Sequence, residues 1–136
     1  MKRFPVIVAT VLLGFLGAAS ILASQEKPTS ANNYPYDVSK EVTIAGRIQV
    51  ERDYQCPVSG TLGAHVTLQA ADGALEIHLA PASFLKDYGI ALQAGEEAKV
   101  VGVKIDFEGH PAVLARTVTV NNDTYTFRDG KGRPLW

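Results

Sequence analysis

Four side chains in this 136-residue sequence have the chemistry to hold a soft metal ion: the single cysteine, Cys56, and the three histidines, His65, His78 and His110. A thiolate beside neutral imidazoles suits copper or zinc. The intervals between these residues match no standard zinc pattern, and one cysteine excludes both an internal disulfide and a four-cysteine zinc site. Cys56 could also act alone, as a redox thiol or as one half of an intermolecular disulfide. No nucleophile signature surrounds it, and Ser59 in Val58-Ser59-Gly60 lacks the G-x-S-x-G frame of a nucleophile elbow. The carboxylates are scattered singly, and neither a phosphate loop nor a C-x-x-C-H haem site is present. These features point away from an enzyme.

The candidate ligands can meet only if strands bring them together. Val42, Ile44, Ile48 and Val50 alternate with polar residues, which marks a half-buried first strand, and Gly46 within it predicts a bend or bulge. Asp53 to Gly63, punctuated by Pro57 and Gly60, reads as a loop that carries Cys56. His65–Ala70 and Ala74–Leu79 read as strands 2 and 3, joined by a hairpin turn at Asp72-Gly73. Pro81 to Tyr88 switches to helical spacing, with Pro81 at the first helical position and Gly89 just past the end. Strand 4 spans Glu97–Phe107, and Glu108-Gly109-His110 turns the chain into strand 5, Pro111–Val120. Alternation fails at Arg116, which predicts a bulge there. After the turn at Asn121-Asn122-Asp123, Thr124–Arg128 is an extra C-terminal strand.

A turn centred on Asp72-Gly73 sets Thr67 opposite His78, Gln69 opposite Glu76 and His65 opposite Ala80. Val66, Leu68, Leu75, Ile77 and Leu79 then share the core parity, leaving His65, Thr67, Gln69, Glu76 and His78 on an exposed outer face. His65 and His78 are diagonal neighbours in that register, with Cβ atoms about 5–8 Å apart. Cys56 and His110 lie in the two loops flanking this face, and Glu76 or His110 could complete a Cys56/His65/His78 metal site. The plainer reading has ordinary polar histidines on an exposed strand face and a cysteine packed beneath its loop, and the absence of a ligand motif favours it. The aromatic residues Phe84, Tyr88, Phe107, Tyr125 and Phe127 read as core or helix plug, and Trp136 as a cap on a barrel opening.

Lys2 and Arg3 precede an apolar run from Phe4 to Ala23, the pattern of a secretory signal over residues 1–23, or of an uncleaved anchor. Residues 24–39 form a polar lead-in with Pro28 and Pro35, in which Tyr34 and Tyr36 are placed to pack back on a single domain at 40–136. Lys plus Arg number 13 and Asp plus Glu 14, so that without Lys2 and Arg3 the balance is 11 against 14. That excess of acid, with neither an aromatic nor a basic residue on the β-hairpin face, argues against nucleic acid as a partner. A membrane is a partner only if the N-terminal segment stays attached.

Three strands, a short helix, two strands and a C-terminal strand resemble the OB-fold, a five-stranded Greek-key barrel with a helix between strands 3 and 4. The stretch Leu92-Gln93-Ala94-Gly95-Glu96-Glu97-Ala98-Lys99-Val100-Val101-Gly102 is similar to the approach to strand 4 in small exported bacterial OB-fold proteins. The tail Arg128-Asp129-Gly130-Lys131-Gly132-Arg133-Pro134-Leu135-Trp136 resembles the ending of signal-bearing bacterial proteins of unassigned activity. That resemblance implies a mostly β, OB-fold-like domain that binds ligands on the outer face of strands 2 and 3. The leading expectation is therefore an exported, periplasmic or extracellular, non-enzymatic module. It would use His65, Thr67, Gln69, Glu76 and His78 to bind a small ligand or an envelope protein. It needs no cofactor. The alternative is a copper or zinc protein working through Cys56, His65 and His78 with His110, or a redox protein depending on Cys56.

Overall fold

A computed structural model describes residues 34–136; the N-terminal segment read as an export signal or anchor lies outside them. A 3₁₀ turn at Val38–Lys40 leads into β1 (Glu41–Cys56), β2 (Thr61–Ala70), β3 (Gly73–Pro81), helix α1 (Ala82–Asp87), β4 (Glu97–Phe107), β5 (His110–Val120) and β6 (Asp123–Thr126). The single sheet runs β3-β2-β1-β4-β5-β6. A parallel pairing of β3 with β5, Glu76 to His78 against Ala112 to Leu114, closes five strands into a barrel-like ring. This is the mostly β, OB-fold-like Greek-key arrangement expected, with the short helix between strands 3 and 4 and β6 as the extra strand.

One long strand serves both halves of the ring. β1 pairs with β4 over Glu41–Arg47 and with β2 over Gly46–Cys56, so the two ladders overlap at Gly46 and Arg47. Glycine is required at position 46, because a Cβ would meet the Gln69 carbonyl oxygen of the neighbouring strand. Gln49 then bulges between Ile48 and Val50. The inward residues, among them Ile48, Leu68, Ile77, Val100, Val113 and Val118, are essentially solvent-free and fill the ring. Leu85 of α1 packs against that core. The helix ends with Ile90 N–H donating to Leu85 O at 2.8 Å and Gly89 N–H to Lys86 O at 3.2 Å, with Gly89 at φ +62°. That paired ending stops the helix after six residues.

The bulge expected near Arg116 is present: Val101 pairs with Thr117 but Gly102 with Ala115, leaving Arg116 unpaired in the ladder. Its guanidinium turns to Glu41, with Nη2 donating to Oε2 at 2.9 Å and Nε to Oε1. The turns at Glu108-Gly109 and Asn121-Asn122 both take the left-handed conformation that tight hairpins need.

Three expectations require correction. The segment from Asp53 to Gly63 is not a loop: β1 continues to Cys56, β2 starts at Thr61, and the turn occupies only residues 57–60. The hairpin register is shifted by two, because the turn is centred on Ala71-Asp72 rather than Asp72-Gly73. Neither Ala71 nor Asp72 is left-handed, and the positive φ falls on Gly73 alone, at +123°. His65 therefore sits directly opposite His78, and Thr67 opposite Glu76. Tyr88 is not part of the plug, being 70% exposed.

Candidate metal centre

A two-residue shift preserves face, so His65, Thr67, Gln69, Glu76 and His78 still share the outer face of the β2–β3 hairpin. That face is not uniformly exposed. Gln69 is exposed and accepts from Gln49 Nε2 at 3.0 Å, while Thr67 and Glu76 are half-buried. His65 and His78 are each only 3% exposed, contrary to the expected solvent-facing pair. Burial comes from a second apolar cluster at this end of the sheet, in which Tyr34, Tyr54 and Phe107 gather around Cys56. Tyr54 stacks on the His65 ring at 3.7 Å, nearly parallel, and Phe107 meets His78 edge-on at 4.5 Å.

Cys56, the last residue of β1, is 4% exposed. The 57–60 turn folds back over it, with Gly60 N–H donating to the Cys56 carbonyl at 2.9 Å. The backbone amides of Val58 and Ser59 hydrogen-bond to the sulfur, a stabilisation that counts most for a thiolate. Cys56 Sγ lies 3.4 Å from His78 Nδ1. One donor atom each from Cys56, His65 and His78 falls within 4.8 Å of the others. The three residues that the sequence could only align on one side are thus brought into a single buried cluster, through direct cross-strand pairing of the histidines and a β1 long enough to reach them.

Burial sets their protonation. Desolvation, with the neighbouring His65 second, pushes His78 down to about 3. Desolvation also lowers His65, against opposing backbone hydrogen bonds at Arg52 and Gly63. It raises the Cys56 thiol above its usual value, outweighing the Val58 and Ser59 amides. Near neutral pH the cluster is therefore a neutral thiol and two neutral imidazoles, with both rings ready to ligate and the thiol needing to lose one proton. His65 Nδ1 and His78 Nε2 are buried without a hydrogen-bond partner, as is Glu76 Oε1, which stands 3.7 Å from His78 Nε2.

His110 is not part of this cluster. It is exposed at the start of β5 and lines a cleft of about 240 Å³ with Arg52, Tyr54, Thr67, Glu76 and Glu108, where the His65 ring forms part of the wall. Residues 40–125, from the edge of β1 into β6, match the MamS/MamX magnetosome protein family. The chain belongs to that family. This agrees with the expected resemblance to a bacterial family of unassigned activity, and the matched span contains Cys56, His65 and His78. No curated protein matches the chain.

Outside the family span, Trp136 lines a cavity of about 10 Å³ beside Cys56 and both histidines. Its ring also lies 5.1 Å from the Arg128 guanidinium and 6.2 Å from Phe84. Sequence reasoning passed over Tyr54 and the Val58 and Ser59 amides, and it assigned Phe107 to the core without a link to His78. The signal for Tyr54 was its spacing of two from Cys56, which sets both side chains on one face of a strand.

Proposed function

We propose that this MamS/MamX-family protein is an exported, non-enzymatic, OB-fold-like binding module that holds one copper or zinc ion through Cys56, His65 and His78. The observation that carries the reading is the meeting of one thiol and two imidazoles, all buried and with donor atoms within 4.8 Å. Ions with bonds of about 2.0–2.3 Å need donors roughly 3.3–3.7 Å apart, so a contraction of about 1 Å closes the site. The Lys2-Arg3 pair and the apolar run to Ala23 support delivery to the periplasmic or extracellular side, and the family's name supports work at the magnetosome. Elemental analysis of the purified full chain tests the metal reading. One equivalent of copper or zinc is expected, falling to background in Cys56→Ser; a metal-free chain that also ignores added copper and zinc refutes it.

The cleft beside Thr67 and Glu76 favours a second role for the rest of this face, docking of a small ligand or an envelope protein. Thr67→Arg, in the cleft wall, and Gln69→Arg, on the same face, should each abolish capture of such a partner, and the exposed Gln69 change should move the melting temperature by no more than about 2–3 °C. Unchanged capture would remove the face from consideration.

A further inference from the structure

The site also bears on the identity and oxidation state of its ion, an inference that rests on the metal-binding function proposed for Cys56, His65 and His78. Among the described residues the cluster offers three donors and no fourth. His110 faces the separate cleft, and Glu76 Oε1 stands toward the far nitrogen of His78. The Ser59 hydroxyl meets the carbonyl oxygens of Cys56 and Thr61, at 3.4 and 3.3 Å, and hydrogen-bonds to the Cys56 sulfur, so it supports a ligand rather than being one. A structural zinc ion wants four protein ligands, whereas a closed-shell copper(I) ion is satisfied by three donors in a plane, a thiolate and two imidazoles among them.

Charge leads the same way. A single thiolate neutralises a monovalent ion within the coordination shell but leaves a divalent ion with one charge that only Glu76, outside the shell at 3.7 Å from His78 Nε2, could offset. That residue of charge would lie between Tyr54 and Phe107, where burial makes it costly. Room for an added ligand is also scarce, since the adjoining cavity of about 10 Å³ is at the lower limit for one water. In a trigonal plane with bonds of about 2.0–2.3 Å the donors stand roughly 3.5–3.7 Å apart, and Cys56 Sγ and His78 Nδ1 are already at 3.4 Å.

We propose that the ion is copper(I), held three-coordinate by Cys56 Sγ and one ring nitrogen each of His65 and His78, in a complex without net charge. Binding breaks the Cys56 S–H bond, releases that proton to solvent, and forms one Cu–S and two Cu–N bonds with no change of oxidation state.

The test is anaerobic titration of the full chain with copper(I), against a competing chromophoric chelator, and separately with zinc(II), followed by X-ray absorption at each metal's edge. Thiolates favour copper(I) at many sites, so coordination number rather than affinity decides. The expected result is one copper per chain with one sulfur and two nitrogens in the first shell, and at least about a hundredfold weaker binding in Cys56→Ser and His78→Ala. If those variants fail to fold, the wild-type shell alone still decides. A four-donor copper shell, or zinc retained against excess copper(I) in a four-coordinate site, overturns the copper(I) inference and leaves the metal reading standing. No stoichiometric binding of either metal, or a shell without sulfur, overturns both.

Discussion

Gly63 offers a way to disturb the proposed metal site without touching a ligand. It sits in β2 between the turn that covers Cys56 and the strand that carries His65, and its missing side chain is what lets them approach. A Cβ there would lie 2.8 Å from Ser59 Oγ, 2.9 Å from Cys56 Cβ and 3.1 Å from His65 Cε1. Gly63→Ala should therefore cost about 1–3 kcal/mol, as overpacked sites do. More informative is its effect on the metal, because the methyl pushes apart two side chains whose donors must close. At a metal concentration of 100 times Kd the wild type gains about 2.7 kcal/mol, which is roughly 10–20 °C in a domain of this size. A hundredfold loss of affinity cuts that gain at the same concentration to about 0.4 kcal/mol, or some 2–3 °C. Thermal melts with and without copper or zinc measure both effects. Gly130→Ala, whose Cβ would have nothing within 4 Å, serves as the control. If Gly63→Ala lowers the metal-free melting temperature yet keeps the full metal-induced rise, Cys56 and His65 do not close on one ion.

The metal-free protein should weaken in acid. His78 is held at about 3 when folded but titrates near 6.5 when unfolded, so between those values only the unfolded chain takes up the proton. Stability is full above about pH 6.5 and falls by up to about 1.4 kcal/mol per pH unit toward pH 3, and His65 acts in the same direction. Urea melts at pH 5 and pH 7 measure this, and His78→Phe should flatten the difference; an equal slope in that variant would show that other groups carry it. Arg116→Leu should cost about 1–2 kcal/mol by stripping Glu41 of its two-pronged partner, leaving only the Tyr36 hydroxyl at 2.7 Å. Equal chemical stability of this variant and the wild type would mean the pair is no stronger than an exposed one.

Most of the barrel was legible because its walls follow simple periods. β4 alternates up to its pairing shift at Gly102, the failure of alternation at Arg116 in β5 marked a true bulge, and Gly89 stood where the helix stops. The far half of β1 was not legible. From Glu51 to Gln55 only Tyr54 is even partly covered, so a paired strand there has almost nothing apolar to display and looks like a loop. The hairpin rule for Asp-Gly put the turn one position late, because Gly73 serves as the first residue of β3 rather than the second of the turn. The error spared the site's faces, since a shift of two leaves parity intact, but it separated two histidines that are direct partners. Burial of the pair was beyond the sequence for another reason. It depends on covering groups from four separate stretches of chain: Tyr34, Tyr54, Phe107 and Trp136.

That covering raises the question of why polar atoms of three side chains are buried at the one end of the sheet where apolar residues would pack more cheaply. His65 Nδ1, His78 Nε2 and Glu76 Oε1 all lack partners, and an unsatisfied buried polar atom costs about 1–3 kcal/mol. Two or three such terms are a large part of the 5–15 kcal/mol that typically holds a domain together. Valine or leucine at positions 65 and 78 would satisfy the strand pattern equally well and remove the cost. A bound ion answers the difficulty in one step. It takes a lone pair from each ring, converts the reluctant thiol into a ligand already met by the Val58 and Ser59 amides, and favours an Nε2–H on His78 that can donate to Glu76. The arrangement costs the empty fold stability and would suit the loaded one, which is what the proposed metal site requires and packing alone does not.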